Sequence, residues 1–206
     1  MKNLLLSSLL LFAFMTSNAQ ELAKFGIDEN KEVPQGLTEG ERAPNFGGVD
    51  QQGRIFELKK ELENGPVVLV FYRGVWCGIC SQHLAQLEED LNALTEKGAQ
   101  IVAVSPEVEQ YRNETADKAN VSFSLISDLT GEIMESYKVN FIVNEEYNKK
   151  LEAWAKIDLK KNHQQETPVL PVPATYIIAK DGTIKKVFFN PDYSKRANIE
   201  EILPYL

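Results

Sequence analysis

The chain has 206 residues, 30 acidic against 22 basic, for a formal charge of −8, and 43% of its residues are hydrophobic. That is ordinary globular usage, enough apolar material for one packed domain, and it argues against wholesale disorder. An acidic chain with no basic stripe lacks the clustered Lys and Arg that nucleic acid or an anionic membrane surface requires, and its two cysteines are too few for a disulfide-stapled miniprotein or a four-cysteine zinc site.

Lys2 gives a positive start, and Leu4 to Met15 is an apolar run of twelve residues. Small Ser17 and Ala19 stand three and one residues before a cut ahead of Gln20. This is the pattern of a secretory signal peptide over 1–19. Twelve helical residues rise about 18 Å, short of the roughly 30 Å of hydrocarbon that a membrane anchor must cross. The expected product is exported, periplasmic or secreted, and free of the membrane after cleavage, in a compartment that favours disulfides.

Residues 20–36 are polar and acidic and read as a loosely held arm; 37–206 read as one domain. Glu41 to Phe46 and Arg54 to Leu58, either side of Asp50-Gln51-Gln52-Gly53, predict an N-terminal β-hairpin. Pro66 to Tyr72 is an apolar, largely β-branched run suited to a central strand buried on both faces. Leu84, Leu87, Leu91 and Leu94 recur at helical spacing up to Gly98. Gln100 to Val104 predicts a buried strand, and Ser105-Pro106 the start of a helix to about Ala119. Ser124 to Ser127 reads as strand and Leu129 to Tyr137 as short helix. Phe141 to Thr167, rich in Lys, Glu and Asn, reads as an insertion of short helix and loop. Thr175 to Ala179, a Lys180–Thr183 turn and Ile184 to Phe189 predict a hairpin, and Asn198 to Leu206 a closing helix. Strands alternating with helices imply an α/β fold with a mixed central β-sheet flanked by helices.

Both cysteines fall within Trp76-Cys77-Gly78-Ile79-Cys80, where the central strand gives way to the leucine-striped helix. A thiolate there meets the unpaired N–H groups and positive dipole end of the helix, which lowers its pKa. The i, i+3 spacing brings the two sulfurs within bridging reach. A purely structural disulfide is a weak alternative, since closing a four-residue loop gives only about 2 kcal/mol in the chain-entropy model. A metal site built on Cys77, Cys80 and His83 lacks a nearby fourth ligand, and His83 reads more simply as a solvated helix residue. Haem attachment needs His directly after the second Cys, where this chain has Ser81. Leu170-Pro171-Val172-Pro173 precedes the Thr175 strand, a position at which Pro173 marks a turn and a cis Val172–Pro173 bond is a reasonable expectation.

These segments resemble the peroxiredoxin-like branch of the alkyl hydroperoxide reductase and thiol-specific antioxidant family, within the thioredoxin-fold superfamily. The resemblance runs from about Leu37 to Leu206. It rests on Gly40 to Phe46, Phe71 to Cys80, Ala103 to Pro106, Leu170 to Tyr176, and Asn190 to Tyr193 through Arg196. It implies a thioredoxin-like fold, an antioxidant oxidoreductase with a redox-active disulfide, no cofactor, and a thiol reductant such as a thioredoxin-like donor. The family motif P-x-x-x-T-x-x-C falls with its Pro on Arg73, its Thr on Cys77 and its peroxide-attacking Cys on Cys80. Pro and Thr are therefore replaced, while the thioredoxin-type W-C-x-x-C is intact and nominates Cys77 as the attacking thiol. The resemblance thus leaves two substrates open, a hydroperoxide attacked by Cys80 or a protein disulfide attacked by Cys77. Arg73, Trp76, Pro173 and Arg196 are the expected supporting residues, and a non-catalytic metal carrier is the remaining alternative.

Overall fold

The structure is a computed structural model that describes residues 22–28 and 30–206. The expected signal segment lies outside the described residues. A short hairpin comes first, β1 (Gly47–Val49) and β2 (Ile55–Glu57), closed by Asp50, whose carboxylate accepts from the Gln52 and Arg54 backbone and from Arg54 Nε. Helix α1 (Leu58–Asn64) leads to β3 (Val67–Phe71). All five β3 residues are fully buried, which the unbroken apolar run requires of a strand covered on both faces.

Helices α2 (Gly78–Glu89) and α3 (Leu91–Glu96) follow, then β4 (Gln100–Ser105), α4 (Glu109–Ala119), β5 (Ser124–Ser127) and α5 (Glu132–Ser136). Next come β6 (Asn140–Ile142), α6 (Glu145–Lys150), a π-helical turn at Leu151–Ala155, and α7 (Leu159–His163). Strands β7 (Val169–Pro171), β8 (Ala174–Ile178) and β9 (Ile184–Phe189) lead to α8 (Ile199–Ile202) and a last 3-10 turn.

The main sheet has the order β5-β4-β3-β8-β9, with β3, β4 and β5 parallel and β8 and β9 antiparallel to their neighbours. Alternation along β3 divides the core. Val68, Val70 and Tyr72 face Leu84 and Leu87 of α2, Leu94 of α3, Ala116 of α4 and Ile202 of α8; both cysteines belong to this cluster. Val67, Leu69 and Phe71 face Phe56, Leu58, Met134, Tyr137 and Tyr176 on the other side.

Several expectations are corrected. The hairpin strands begin later than the sequence suggests. The leucine-striped segment is two helices broken at Asp90, which leaves helical geometry at φ −91°, ψ 3°. Ser105 stays in the sheet opposite Ser127, so α4 starts only at Glu109, and residues 106–108 instead turn Glu107 inward. Val172–Pro173 is trans, since the described chain contains no cis peptide bond. Strands β6 and β7 pair antiparallel at the two ends of the insertion, which no alternating pattern announces. The arm is not loose where it is described: Ile27 is buried, bridges to Val143 and joins Phe141, Leu159, Leu170 and Val172 in a third apolar cluster.

Leu84 is fully buried where α2 meets the sheet, so Leu84→Ala should lose about 2–5 kcal/mol in a urea unfolding titration. Gln82→Ala, on the exposed side of the same helix, should change stability by no more than about 0.5 kcal/mol.

Candidate active site

The site is built at the carboxyl end of β3. Tyr72 makes the last sheet bond, its N–H donating to the Val104 carbonyl, and the chain then leaves the sheet. Gly74 sits at φ +146°, and a Cβ there would lie 2.7 Å from Trp76 Nε1 and 2.8 Å from Glu107 Oε1, so only glycine fits. The turn closes with the Cys77 N–H donating to the Gly74 carbonyl. Cys77 is the N-cap of α2 in extended geometry, and its carbonyl accepts from the Ser81 N–H. Cys80 is the third helical residue. The two are joined as a disulfide with a Cα–Cα distance of 5.2 Å, and both are almost wholly buried. The positive end of a twelve-residue helix therefore points at the sulfur pair.

Each sulfur has its own guanidinium. Arg73 Nη2 donates to Cys77 Sγ at 3.2 Å, and Arg196 Nη2 donates to Cys80 Sγ at 3.2 Å. Arg73 is buried under aromatic rings, its Cζ 3.6 Å from the Tyr193 ring centroid and 5.0 Å from that of Trp76, while its Nη1 donates to the Tyr147 hydroxyl at 2.7 Å. Arg196 arrives from the segment after β9, where Asn190 and Asp192 accept from the backbone two residues on and turn the chain back towards α2. Burial, and then the Arg73 charge, push the Arg196 pKa down to about 9. Among the described residues neither arginine has a carboxylate within ion-pair distance.

The loop that carries Cys77 is clamped from α4 and the segment before it. Glu107 Oε1 accepts from the Val75 N–H at 2.6 Å, Glu107 Oε2 accepts from the Thr115 hydroxyl at 3.0 Å, and Lys118 Nζ donates to the Val75 carbonyl at 3.0 Å. Glu107 is wholly buried, and burial raises its pKa to about 7 against the ordinary 4.5 despite these donors. His83 is buried too, contrary to its reading as a solvated residue. Its Nε2 lies 2.9 Å from the Ala197 carbonyl, which fastens α2 to the residue beside Arg196. Burial, and then the Arg196 charge, hold its pKa down at about 4.

Of the residues singled out from sequence, Cys77, Cys80, Arg73, Trp76 and Arg196 lie in one cluster. Pro173 stands one residue beyond the Ala174–Phe71 pair and lines, with Arg196, Lys186, Phe188 and Lys195, a cavity of about 390 Å³. Three further residues line the site without a role assigned from sequence: Tyr147 lies within the insertion, Tyr193 is marked only as part of the Asn190–Arg196 resemblance, and Glu107 has only its place after Ser105-Pro106. Among the described residues no cluster of three or more His, Cys, Asp or Glu is placed to hold a metal ion.

The sequence profile described as the AhpC/TSA family matches residues 40–187. The chain is similar to the thiol-disulfide oxidoreductase ResA of Bacillus cereus, 25% identical over 161 residues that cover 78% of this chain and 71% of that one. It is similar to the chloroplastic peroxiredoxin Q of Oryza sativa subsp. japonica, 25% identical over 178 residues that cover 86% and 70%. In fold it is similar to the crystal structure of peroxidoxin BcpB from Mycobacterium tuberculosis, with a TM-score of 0.59 and 19% identity over 74% of this chain and 86% of that one.

The raised Glu107 pKa has a measurable sign. Between about pH 4.5 and pH 7 the folded chain holds a proton at Glu107 that the unfolded chain releases, so this group's contribution to stability falls as pH rises through that window. The depressed pKa values of buried His83 and His163 act in the opposite direction. Comparison with Glu107→Gln isolates the effect: urea unfolding across the window should show wild type losing stability relative to the variant as pH rises, with a limiting slope of about 1.4 kcal/mol per pH unit.

Proposed function

Because the chain belongs to the AhpC/TSA family, and with it to the peroxiredoxin-like thiol oxidoreductases of thioredoxin fold, we propose that it reduces hydroperoxides with Cys80 as attacking thiol and Cys77 as resolving thiol. The observation that carries this reading is the Arg196 guanidinium seated on Cys80 Sγ at 3.2 Å, with no carboxylate partner among the described residues. In the reduced protein that cation stabilises the Cys80 thiolate and the oxygen charge that develops as the peroxide bond breaks, and it acts most strongly in a site from which water is excluded.

The chemistry balances without a cofactor. The Cys80 thiolate attacks one peroxide oxygen, the O–O bond breaks, and the other oxygen leaves as an alcohol or water after taking a proton. Cys80 is then a sulfenic acid. Cys77 attacks the Cys80 sulfur, expels water, and forms the disulfide present in this structure. A thiol reductant, such as a thioredoxin-like donor, must supply two electrons to restore the pair. We place this reaction in the domain spanning 37–206, in a product exported to the periplasm or beyond; the Lys2–Ala19 pattern supports the export.

A second reading rests on its own observation. Cys77 caps α2 and receives Arg73, the arrangement that favours attack by Cys77 on a disulfide of an exported protein. Single-cysteine variants separate the two. With hydrogen peroxide in a rapid-mixing experiment, Cys77→Ser should still form a sulfenic acid far faster than free cysteine, and Cys80→Ser should lose at least about 100-fold in rate. A wild-type rate no faster than free cysteine, with Cys80→Ser retaining a client protein as a mixed disulfide, would establish the exchange reading instead.

A further inference from the structure

We propose that Tyr147, from the 141–167 insertion, is a positioning residue for the redox pair: it fixes the Arg73 guanidinium on Cys77, and the arm at 22–28 fixes Tyr147. The inference rests on the redox reading of the cysteine pair but not on whether a peroxide or a disulfide is the substrate.

Arg73 has two terminal nitrogens, and both are committed. One donates to Cys77 Sγ and the other to the Tyr147 hydroxyl at 2.7 Å, so the planar fork is held at both tips while the Tyr193 ring covers its face. A phenol suits this position better than a carboxylate would. An acid would hold the guanidinium equally well but would neutralise it, cancelling its field at the sulfur; a neutral hydroxyl orients the cation and leaves its charge for the thiolate.

Tyr147 is itself anchored away from the sulfurs. Its N–H donates to the Asn144 side chain at 2.8 Å, the N-cap bond of α6. Asn144 is tied to the arm: its N–H donates to the Gly26 carbonyl at 2.7 Å and its amide to the Ala23 carbonyl at 3.0 Å. Gly26 lies at φ +92°, and a Cβ there would come within 2.8 Å of the Tyr147 ring, so the ring rests on bare backbone. Phe25 of the same segment packs edge-on against Tyr193, the ring above Arg73, at 5.7 Å. Two segments remote in sequence thus converge on one guanidinium.

The test titrates the Cys77 thiolate in a Cys80→Ser background, by absorbance at 240 nm or by alkylation rate against pH. Tyr147→Phe should raise the Cys77 pKa by about one pH unit, and Arg73→Gln should raise it at least as far. Combined with Arg73→Gln, Tyr147→Phe should add nothing, because its effect passes through the arginine. An unchanged pKa in Tyr147→Phe, or an equal rise with and without Arg73, would overturn the proposal. If Tyr147→Phe loses cooperative unfolding, Gly26→Ala takes its place, and the same two outcomes apply. Failure of the redox reading is distinguishable, because it would appear in the wild type as a cysteine pair that dithiothreitol and oxidant do not cycle.

Discussion

Two arginine side chains, Arg73 buried and Arg196 half-buried, each touch one sulfur of a single disulfide, and among the described residues neither has a carboxylate partner. Holding cations in that state is costly, and the depressed pKa of Arg196 records the cost. Aromatic faces offset part of it for Arg73, through Tyr193 and Trp76. A disulfide sulfur is a poor acceptor, so the arrangement makes most sense for the reduced protein, in which a thiolate takes the place of the bridged sulfur. The dipole of α2 has the same sign and adds to the effect. On the proposed reading, these contacts would stabilise negative charge on sulfur once the pair is reduced.

The rest of the fold serves that placement. The buried strand β3 delivers the loop to one end of the sheet, and Val75 is held on both sides of its peptide by Glu107 and Lys118. Helix α7 closes over the neighbouring segment, with the Val108 N–H donating to the Asn162 carbonyl. His83 and the turn at Asp192 bring the residues beside Arg196 against α2. The insertion is thus joined to the site at Arg73 through Tyr147 and, beyond it, at the segment carrying Glu107. Sites that depend on sub-ångström placement of a cation need such support from several elements.

What sequence could reveal followed the range of the interactions. The central strand was legible because Val67 to Phe71 is apolar at every position, and the C-x-x-C pair because a strand–helix junction gives that spacing chemical meaning. The Ile184–Phe189 strand and the closing helix after Asn198 were legible for equally local reasons. The β6–β7 pairing was not, because three residues at each end of a polar insertion carry no alternation. The packing of the arm depends on Ile27 meeting Val143, a contact across more than one hundred residues. His83 reads as a polar residue on a helix until the Ala197 carbonyl is seen against it. Glu107 looks like a surface acid, and only Ser105 remaining in the sheet turns it inward.

The most direct test is the reduction potential of the Cys77–Cys80 pair, measured by equilibration in thiol–disulfide buffers for wild type, Arg73→Gln and Arg196→Gln. If the guanidiniums stabilise thiolate sulfur, the reduced form loses support in each variant. The two-electron potential should then become more negative, by about 30 mV or more. Potentials that coincide with wild type, or move in the positive direction, would contradict the account.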